Sequence, residues 1–505
     1  MRLWISAVVL ALLTGSSPIE VSAQSLAPAP KLSSDIPHDV LINLLPGYSQ
    51  LDAPNQVAFD EFSWQSFVAL NWPADPLGRP LNGSILTHPI APRVWEFYKT
   101  PQEVFDPRRS HPLGINSPAQ GGRIFRMMSS RTSKFSNRGP NDSFLEATGS
   151  PLIDRNLNFV LYDIVLNDVE TKYIKANGLD TKAGQQAFMN SGKTVSFPLG
   201  FYADPVKRTG GSVGAIEIKT SWRMLDPKKD DLTRFYTVRG IVYVDAQNTV
   251  SRKPLFIAST MGLVGMHIMQ RVTGPYSFTT RQPTGQQFWI WSTFEHVDNA
   301  PLAANARDAT DIALPLPASG TAPATVDRTY SFYNPAYKGP TNIAPALKPG
   351  ESNFLWNDKP PYAARYAIDG KYGTQVVRDW KIFPETAKVS QSYQGQLSGD
   401  SVSKYFRGLL GGTVWANYEL VGTQWMGGIE QPTTENGNIP RYLSNTTLET
   451  YIQFVSTQGE SMNTICQYPY PPNFLPEGSC MSCHQCAQTA VGQNANFSFQ
   501  LERAK

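Results

Sequence analysis

Residues 215–224 have the sequence AIEIKTSWRM, in which apolar and polar side chains alternate from Ile216 onward. An extended chain would carry on one face Ile216, Ile218, Thr220, Trp222 and Met224, and on the other Glu217, Lys219, Ser221 and Arg223. A period of two is typical of a β-strand that packs against a core. The stretch therefore predicts a strand in the middle of a β-rich region.

More strands are predicted on both sides of this one. They are rich in β-branched and aromatic residues and comprise residues 157–166, 235–244, 255–268, 287–294 and 413–421. Helices are predicted at residues 59–72, after a capping box at Thr100, at residues 402–410, and from Thr446 to about Val455. We therefore predict an α+β fold with a central antiparallel sheet or sandwich and peripheral helices.

Composition excludes several classes of protein. The chain has 505 residues, of which 17% are charged and 41% hydrophobic, so it is neither a charge-rich disordered chain nor a coiled coil. A net charge of +3 is too small to indicate nucleic-acid binding. Residues 107–141 contain basic but no acidic side chains, and this region is interpreted either as a solvated loop or as a docking patch for an anionic partner.

The first 23 residues have the features of a secretory signal peptide. Arg2 precedes an apolar run, Leu3 to Leu13, and the small residues at 21–23 form a cleavage site before Gln24. The alternative is a membrane anchor, but this run is shorter than the roughly 20 residues that span a bilayer. We therefore expect a periplasmic or secreted protein with no membrane span after cleavage.

All four cysteines lie near the carboxyl terminus, and two of them belong to one short motif. Residues 480–484 have the sequence CMSCH, the signature of covalent haem c attachment. The thiols of Cys480 and Cys483 can add to the two vinyl groups of one porphyrin, and His484 then becomes the proximal iron ligand. The motif predicts one covalent haem c.

Other uses of these cysteines remain open. Cys466 and Cys486 are expected to pair in an oxidising compartment, and this disulfide would contribute on the order of 3 kcal/mol through chain entropy. A zinc site would need a crowded ligand set. A redox dithiol would need a thioredoxin-like context that the sequence lacks, and a cluster of disulfides is a further alternative.

The motif resembles the c-type cytochromes over about 25 residues. In the usual small cytochrome c domain the motif lies near the start and a methionine ligand follows it, whereas here 21 residues follow His484 and none is methionine. The C-terminal segment is therefore not a standard cytochrome c domain. A second axial ligand would come from the preceding chain, with His267 as the main candidate and Met266 and Met269 as weaker ones.

Three stretches together look similar to a loosely defined cytochrome c family of exported bacterial proteins: residues 262–268 (GLVGMHI), residues 289–301 (WIWSTFEHVDNAP) and the terminal motif, residues 479–484 (SCMSCH). The resemblance implies haem and export without specifying a reaction. We predict a monohaem electron-transfer protein that acts with a redox partner protein. The alternative is a haem enzyme, a peroxidase or oxidoreductase with a small-molecule substrate, in which His296 is the catalytic base; a binding or sensor module is a third possibility.

These features divide the chain into five predicted regions. A signal peptide (1–23) precedes an N-terminal arm with helices and basic loops (24–150). The β-rich core (151–300) follows, and then a loop-rich region with strands that pack on the core (301–440). The last region, 441–505, contains a helix and the haem attachment segment.

Overall fold

The structure of the chain is a computed structural model. It describes residues 31–42, 53–106, 118–119, 123–129, 149–205, 207–274, 276–277, 282–283, 288–307, 321–382, 401–427, 443–453, 480, 484 and 487–505. The α-helices are α1 Ala53–Leu70, α2 Pro101–Phe105, α3 Asp168–Ala176, α4 Lys182–Asn190 and α5 Val402–Leu409. The strands are β1 Leu41–Ile42, β2 Pro118–Ala119, β3 Arg123–Ser129, β4 Leu161–Leu166, β5 Ile216–Leu225, β6 Thr237–Val244, β7 Leu255–Val272, β8 Tyr276–Ser277, β9 Gln282–Pro283, β10 Phe288–His296, β11 Leu302–Arg307, β12 Arg378–Trp380 and β13 Tyr418–Gly427.

The largest sheet is organised around the 18-residue strand β7. One edge of β7 pairs with β5, which also pairs with β4. The other edge pairs with β6 over its first half and with β10 over its second half, and β13 continues the sheet beyond β10. These pairs are antiparallel, whereas β3 joins β6 in parallel. The predicted α+β class with a large antiparallel sheet is confirmed.

The register of the central strands defines two faces of the sheet. Glu217, Met269 and Trp291 are cross-strand neighbours on one face, and Ile218, Ile268 and Ser292 are neighbours on the other. Helix α1 covers the second face, which we call the α1 face: the Ser66 hydroxyl donates to Gln270 Oε1 at 3.1 Å. We call the first face the C-terminal face, because residues 487–505, the C-terminal segment, pack against it.

Most of the predicted elements are present. The predicted helix at 59–72 is α1, which begins earlier and ends at Leu70, where the Asn71 side chain donates to the Phe67 carbonyl at 2.8 Å. The capping box at Thr100 is present at the start of α2. The strand predicted at 413–421 begins later, at Tyr418, because a short 3-10 helix, Val414–Asn417, precedes it.

The prediction of a helix that begins at Thr446 is wrong. Residues 446–449 form turns, followed by a 3-10 helix at Thr450–Ile452. The Thr446 hydroxyl and its backbone N–H both donate to the carboxylate of Glu295 instead of capping a helix. A tertiary contact has replaced the local one that the sequence pattern indicated.

Within the described part of the chain, no helix is both long and apolar enough to cross a membrane. The predicted signal peptide, residues 1–23, lies outside the described residues. The predicted docking patch at 107–141 contains described backbone only in β2 and β3, so its side chains are not part of the description.

Candidate functional site

Two residues of the haem attachment motif are described, and both are helical. Cys480 and His484 are four positions apart, a spacing that places two helical side chains on the same side. The backbone N–H of Cys480 donates to Gln424 Oε1 of β13 at 3.0 Å, and its thiol lies 3.9 Å from the Leu443 carbonyl. Cys483 lies outside the described residues, as do Cys466 and Cys486, so the second thioether and the disulfide stay predictions.

The hydrogen bond of His484 determines which ring nitrogen carries its proton. The residue is only 7% exposed, and Nδ1 lies 2.8 Å from the Phe497 carbonyl oxygen. Since a carbonyl only accepts, Nδ1 is the N–H donor, and in the neutral imidazole the lone pair then belongs to Nε2. A histidine held by Nδ1–H in this way presents Nε2 as a metal ligand in a fixed orientation.

Aromatic side chains surround the His484 ring. The ring centres of Trp291 and Phe499 lie 5.7 and 5.2 Å from it. Both residues belong to an apolar cluster on the C-terminal face that also contains Met269, and Cys480 packs against the same cluster. The two described residues of the motif therefore lie against an apolar cluster, in which His484 is buried and Cys480 partly buried, as a macrocycle such as haem would require.

Hydrogen bonds fix the C-terminal segment to this face. Ser498 Oγ and Gln500 Nε2 donate to the two carboxylate oxygens of Glu217 in β5, at 2.9 and 3.0 Å. The Gln185 side chain of α4 donates to the Leu501 carbonyl at 2.8 Å. Burial, and then the nearby charge of Glu217, raise the pKa of Glu170 well above its usual value. The hydrogen bonds made by Ser498, Gln500 and Leu501 position the Phe497 carbonyl and, through it, the ring of His484.

The candidate axial ligands of β7 lie on different faces. His267 and Met269 are on the C-terminal face, and Met269 is the cross-strand neighbour of Trp291. His267 Nε2 lies 3.2 Å from Glu449 Oε2, although the angles are not those of a hydrogen bond. Met266 is in the cluster that packs on α1, where its sulfur lies 3.8 Å from the Asn71 amide, so it is on the wrong face for His484.

His296 is buried among structural contacts. Its Nε2 donates to the Arg234 carbonyl at 2.9 Å and its Nδ1 accepts from the Asp298 backbone at 3.1 Å. The ring stacks on Phe235 at 4.1 Å, and burial lowers its pKa to about 4. His296 also points to the face of β10 opposite to Trp291. Because both nitrogens are engaged, the geometry favours a structural role over the predicted role as catalytic base.

The described residues fit a covalent haem c. Cys480 supplies a thiol in the apolar cluster, and His484 supplies an imidazole whose Nδ1–H is already bonded. Within the described ranges no group of three or more His, Cys, Asp or Glu side chains is arranged to hold a bare metal ion. The described residues offer here one thiol and one imidazole, two of the three side chains that the predicted attachment of haem c would use.

Two features of this site were missed in the sequence. The alternation of Trp289 and Trp291 along β10 could have placed both on one face, but nothing indicated that this face would meet the C-terminal segment. The acceptor from Phe497 is a backbone carbonyl, which has no sequence signature.

Comparisons of the chain with protein-family models, with curated proteins and with solved structures found no match.

Proposed function

We propose that this protein is an exported monohaem c protein that transfers electrons to or from a redox partner. Haem is bound through Cys480 and Cys483, with His484 as the proximal ligand. The bound group would supply a one-electron iron couple. The observation that carries the proposal is the 2.8 Å bond between His484 Nδ1 and the Phe497 carbonyl, because it prepares Nε2 for iron inside an aromatic cluster.

The chain's own residues would set the properties of the iron. The bond to the Phe497 carbonyl orients the imidazole and raises its basicity as a ligand. Trp291 and Phe499 keep water away from the ring, and a low dielectric around the iron tunes its potential. A sixth ligand would come from the C-terminal face of β7, which carries Met269 and His267.

An enzyme is the less favoured alternative. That hypothesis assigned His296 as a base, but its two nitrogens are held by backbone groups and its pKa is lowered to about 4. A group that acts as a base must have a free nitrogen near the reacting atoms. The geometry of His296 gives no support to catalysis there.

Visible absorption spectra of conservative variants test the proposal. The full chain, with its leader, is produced in a host that attaches haem c, and the oxidised and reduced spectra are recorded. We expect low-spin spectra for the unmodified protein and little attached haem after Cys483→Ser. One of the two variants Met269→Leu and His267→Asn should convert the spectrum to high spin. The variant that does so removes the side chain that would be the sixth ligand of the iron.

Met266→Leu is the matched control for Met269→Leu. It makes the same volume-conserving change in the same strand but on the α1 face, so its spectrum should stay low-spin. A spectrum without haem absorbance would contradict the proposal. A low-spin spectrum that only Met266→Leu alters would contradict the placement of the sixth ligand.

A further inference from the structure

A cavity lies away from the cluster around His484. It has a volume of about 790 Å³ and lies between the segment 85–96, the start of β6 and the segment 412–415. Its lining includes Tyr236 and Trp415, which belong to the apolar cluster that packs on α1 and not to the cluster around His484. Cavities of roughly 300–1,000 Å³ are typical of small-molecule sites.

Arg93 is a buried cation in the wall of this cavity. It is only 1% exposed, and Nη2 donates to the Pro89 carbonyl at 2.9 Å. Nε and Nη1 have no hydrogen-bond partner among the described residues. Buried donors without an acceptor are costly, and a guanidinium is the group that best recognises an oxyanion.

Aromatic rings hold the guanidinium in place. Its central carbon lies 5.1 Å from the ring centre of Tyr236 and 5.4 Å from that of Trp415, distances at which cation–π attraction operates. These rings fix the position of the charge but accept no conventional hydrogen bond from Nε or Nη1. The arrangement is preorganised and still lacks an acceptor.

The charge of the described lining favours an anion. Arg93, Arg239 and Glu96 are its formally charged members, which gives a net charge of +1. Glu96 Oε2 accepts from the Tyr236 hydroxyl at 2.8 Å and from the Arg93 backbone at 2.9 Å. Glu96 therefore positions the residues around it, while Arg239 is exposed and available to attract an anion from solvent.

Apolar side chains lie at the solvent side of the cavity. Leu86 and Ile90 line it and are 47% and 70% exposed. Exposed apolar groups beside a cavity indicate that the ligand has an apolar body. We propose that this cavity binds a small organic acid, with its carboxylate at Arg93 and its aromatic or aliphatic body against Trp415, Leu86 and Ile90.

Calorimetry with a matched pair of probes tests this site on the full mature protein. The probes are 2-naphthoate and 2-naphthamide, which share the same body and differ in charge. We expect naphthoate to bind at least about tenfold more tightly, as a charge-assisted hydrogen bond would give. The haem absorbance should not change, because the cavity and the His484 cluster are separate.

Single-residue variants test whether naphthoate binds in this cavity. Arg93→Gln should reduce naphthoate binding to the level of naphthamide. Since Arg93 is buried and this variant can fail to fold, Arg239→Glu provides a second measurement at an exposed position, with an expected loss of at least threefold. Lys172→Glu on α3 is its control, because it makes the same charge change at a side chain that is 80% exposed and outside the lining.

Three kinds of outcome would overturn the proposal. The first is no binding of naphthoate at millimolar concentration. The second is equal affinity for naphthoate and naphthamide, which would show that the body alone binds. The third is an equal effect of Arg239→Glu and Lys172→Glu, or a change in the haem spectrum on binding, because either result would place the ligand elsewhere.

Discussion

Two histidines differ in how the fold holds their Nδ1 atoms. The His484 imidazole donates from Nδ1 to Phe497, and its tautomer leaves Nε2 as the basic nitrogen. His296 uses Nε2 as a donor and Nδ1 as an acceptor within its own surroundings. The first arrangement suits a ligand, and the second stabilises a neutral buried ring.

At His296 we predict a pH dependence of folding stability. Its pKa falls from 6.5 to about 4 through burial. The charge of Asp298 and the hydrogen bond to the Arg234 backbone oppose the shift, and the charges of Arg234 and Arg223 add to it. Below pH 6.5 the His296 ring of the unfolded chain binds a proton, whereas the same ring in the folded chain stays neutral until the pH approaches 4. Stability is therefore present above pH 6.5 and is lost as the pH falls towards 4, by roughly 3 kcal/mol.

His296→Gln should remove this loss. The free energy of unfolding, measured with denaturant between pH 7 and 4, should fall less for the variant than for the unmodified protein, because glutamine does not titrate. Two curves that stay parallel over this range would contradict the neutral, buried assignment.

Among the elements, periodic strands were predicted well and the segment at Thr446 was not. The alternation in residues 215–224 located β5, Ile216–Leu225, to within one residue at each end. The capping pattern at Thr446 failed because its partner is Glu295, which is 151 positions away in the chain. A local pattern predicts local bonds, and only the folded sheet brings Glu295 to this threonine.

The contact between Thr446 and Glu295 gives a prediction for this element. Glu295 is completely buried and also accepts from Arg378 at 2.8 Å. Thr446→Val keeps the shape of the side chain but removes the hydroxyl donor, so the variant should lose about 1–3 kcal/mol in a chemical denaturation experiment.

Thr446→Ser is the matched control, because it retains the hydroxyl and loses only a methyl group. It should be clearly more stable than the valine variant. If serine costs as much as valine, packing and not the bond to Glu295 holds this segment.

At the scale of the whole molecule, the C-terminal segment covers one face of the sheet that the middle of the chain forms. The polar face of β5 is fully buried although its sequence pattern resembles that of a strand with one solvated face. Ser498 and Gln500 cover Glu217 by donating to its carboxylate, whereas Ser221 bonds to Thr447 and Arg223 donates to Asp154. The faces of the strand could be predicted from residues 216–224, but which distant segment would cover the polar one could not.

A variant at Phe499 tests how much the packing of the C-terminal segment on the sheet stabilises the fold. Its side chain is buried in the cluster that includes Trp291 and lies against His484. Phe499→Ala should lower the free energy of unfolding by about 3 kcal/mol or more. Phe256→Ala is the control, since Phe256 is 61% exposed and should cost little. Equal losses would contradict the docked position of the C-terminal segment.

The central claim is a covalent haem on Cys480 and Cys483 with His484 as its ligand. The most direct measurement is the intact mass, under denaturing conditions, of the full chain produced and exported in a host that attaches haem c. We predict the mass of a chain beginning at Gln24 plus one haem, and loss of that added mass in the double variant Cys480→Ser, Cys483→Ser. A chain whose mass contains no haem would contradict the account.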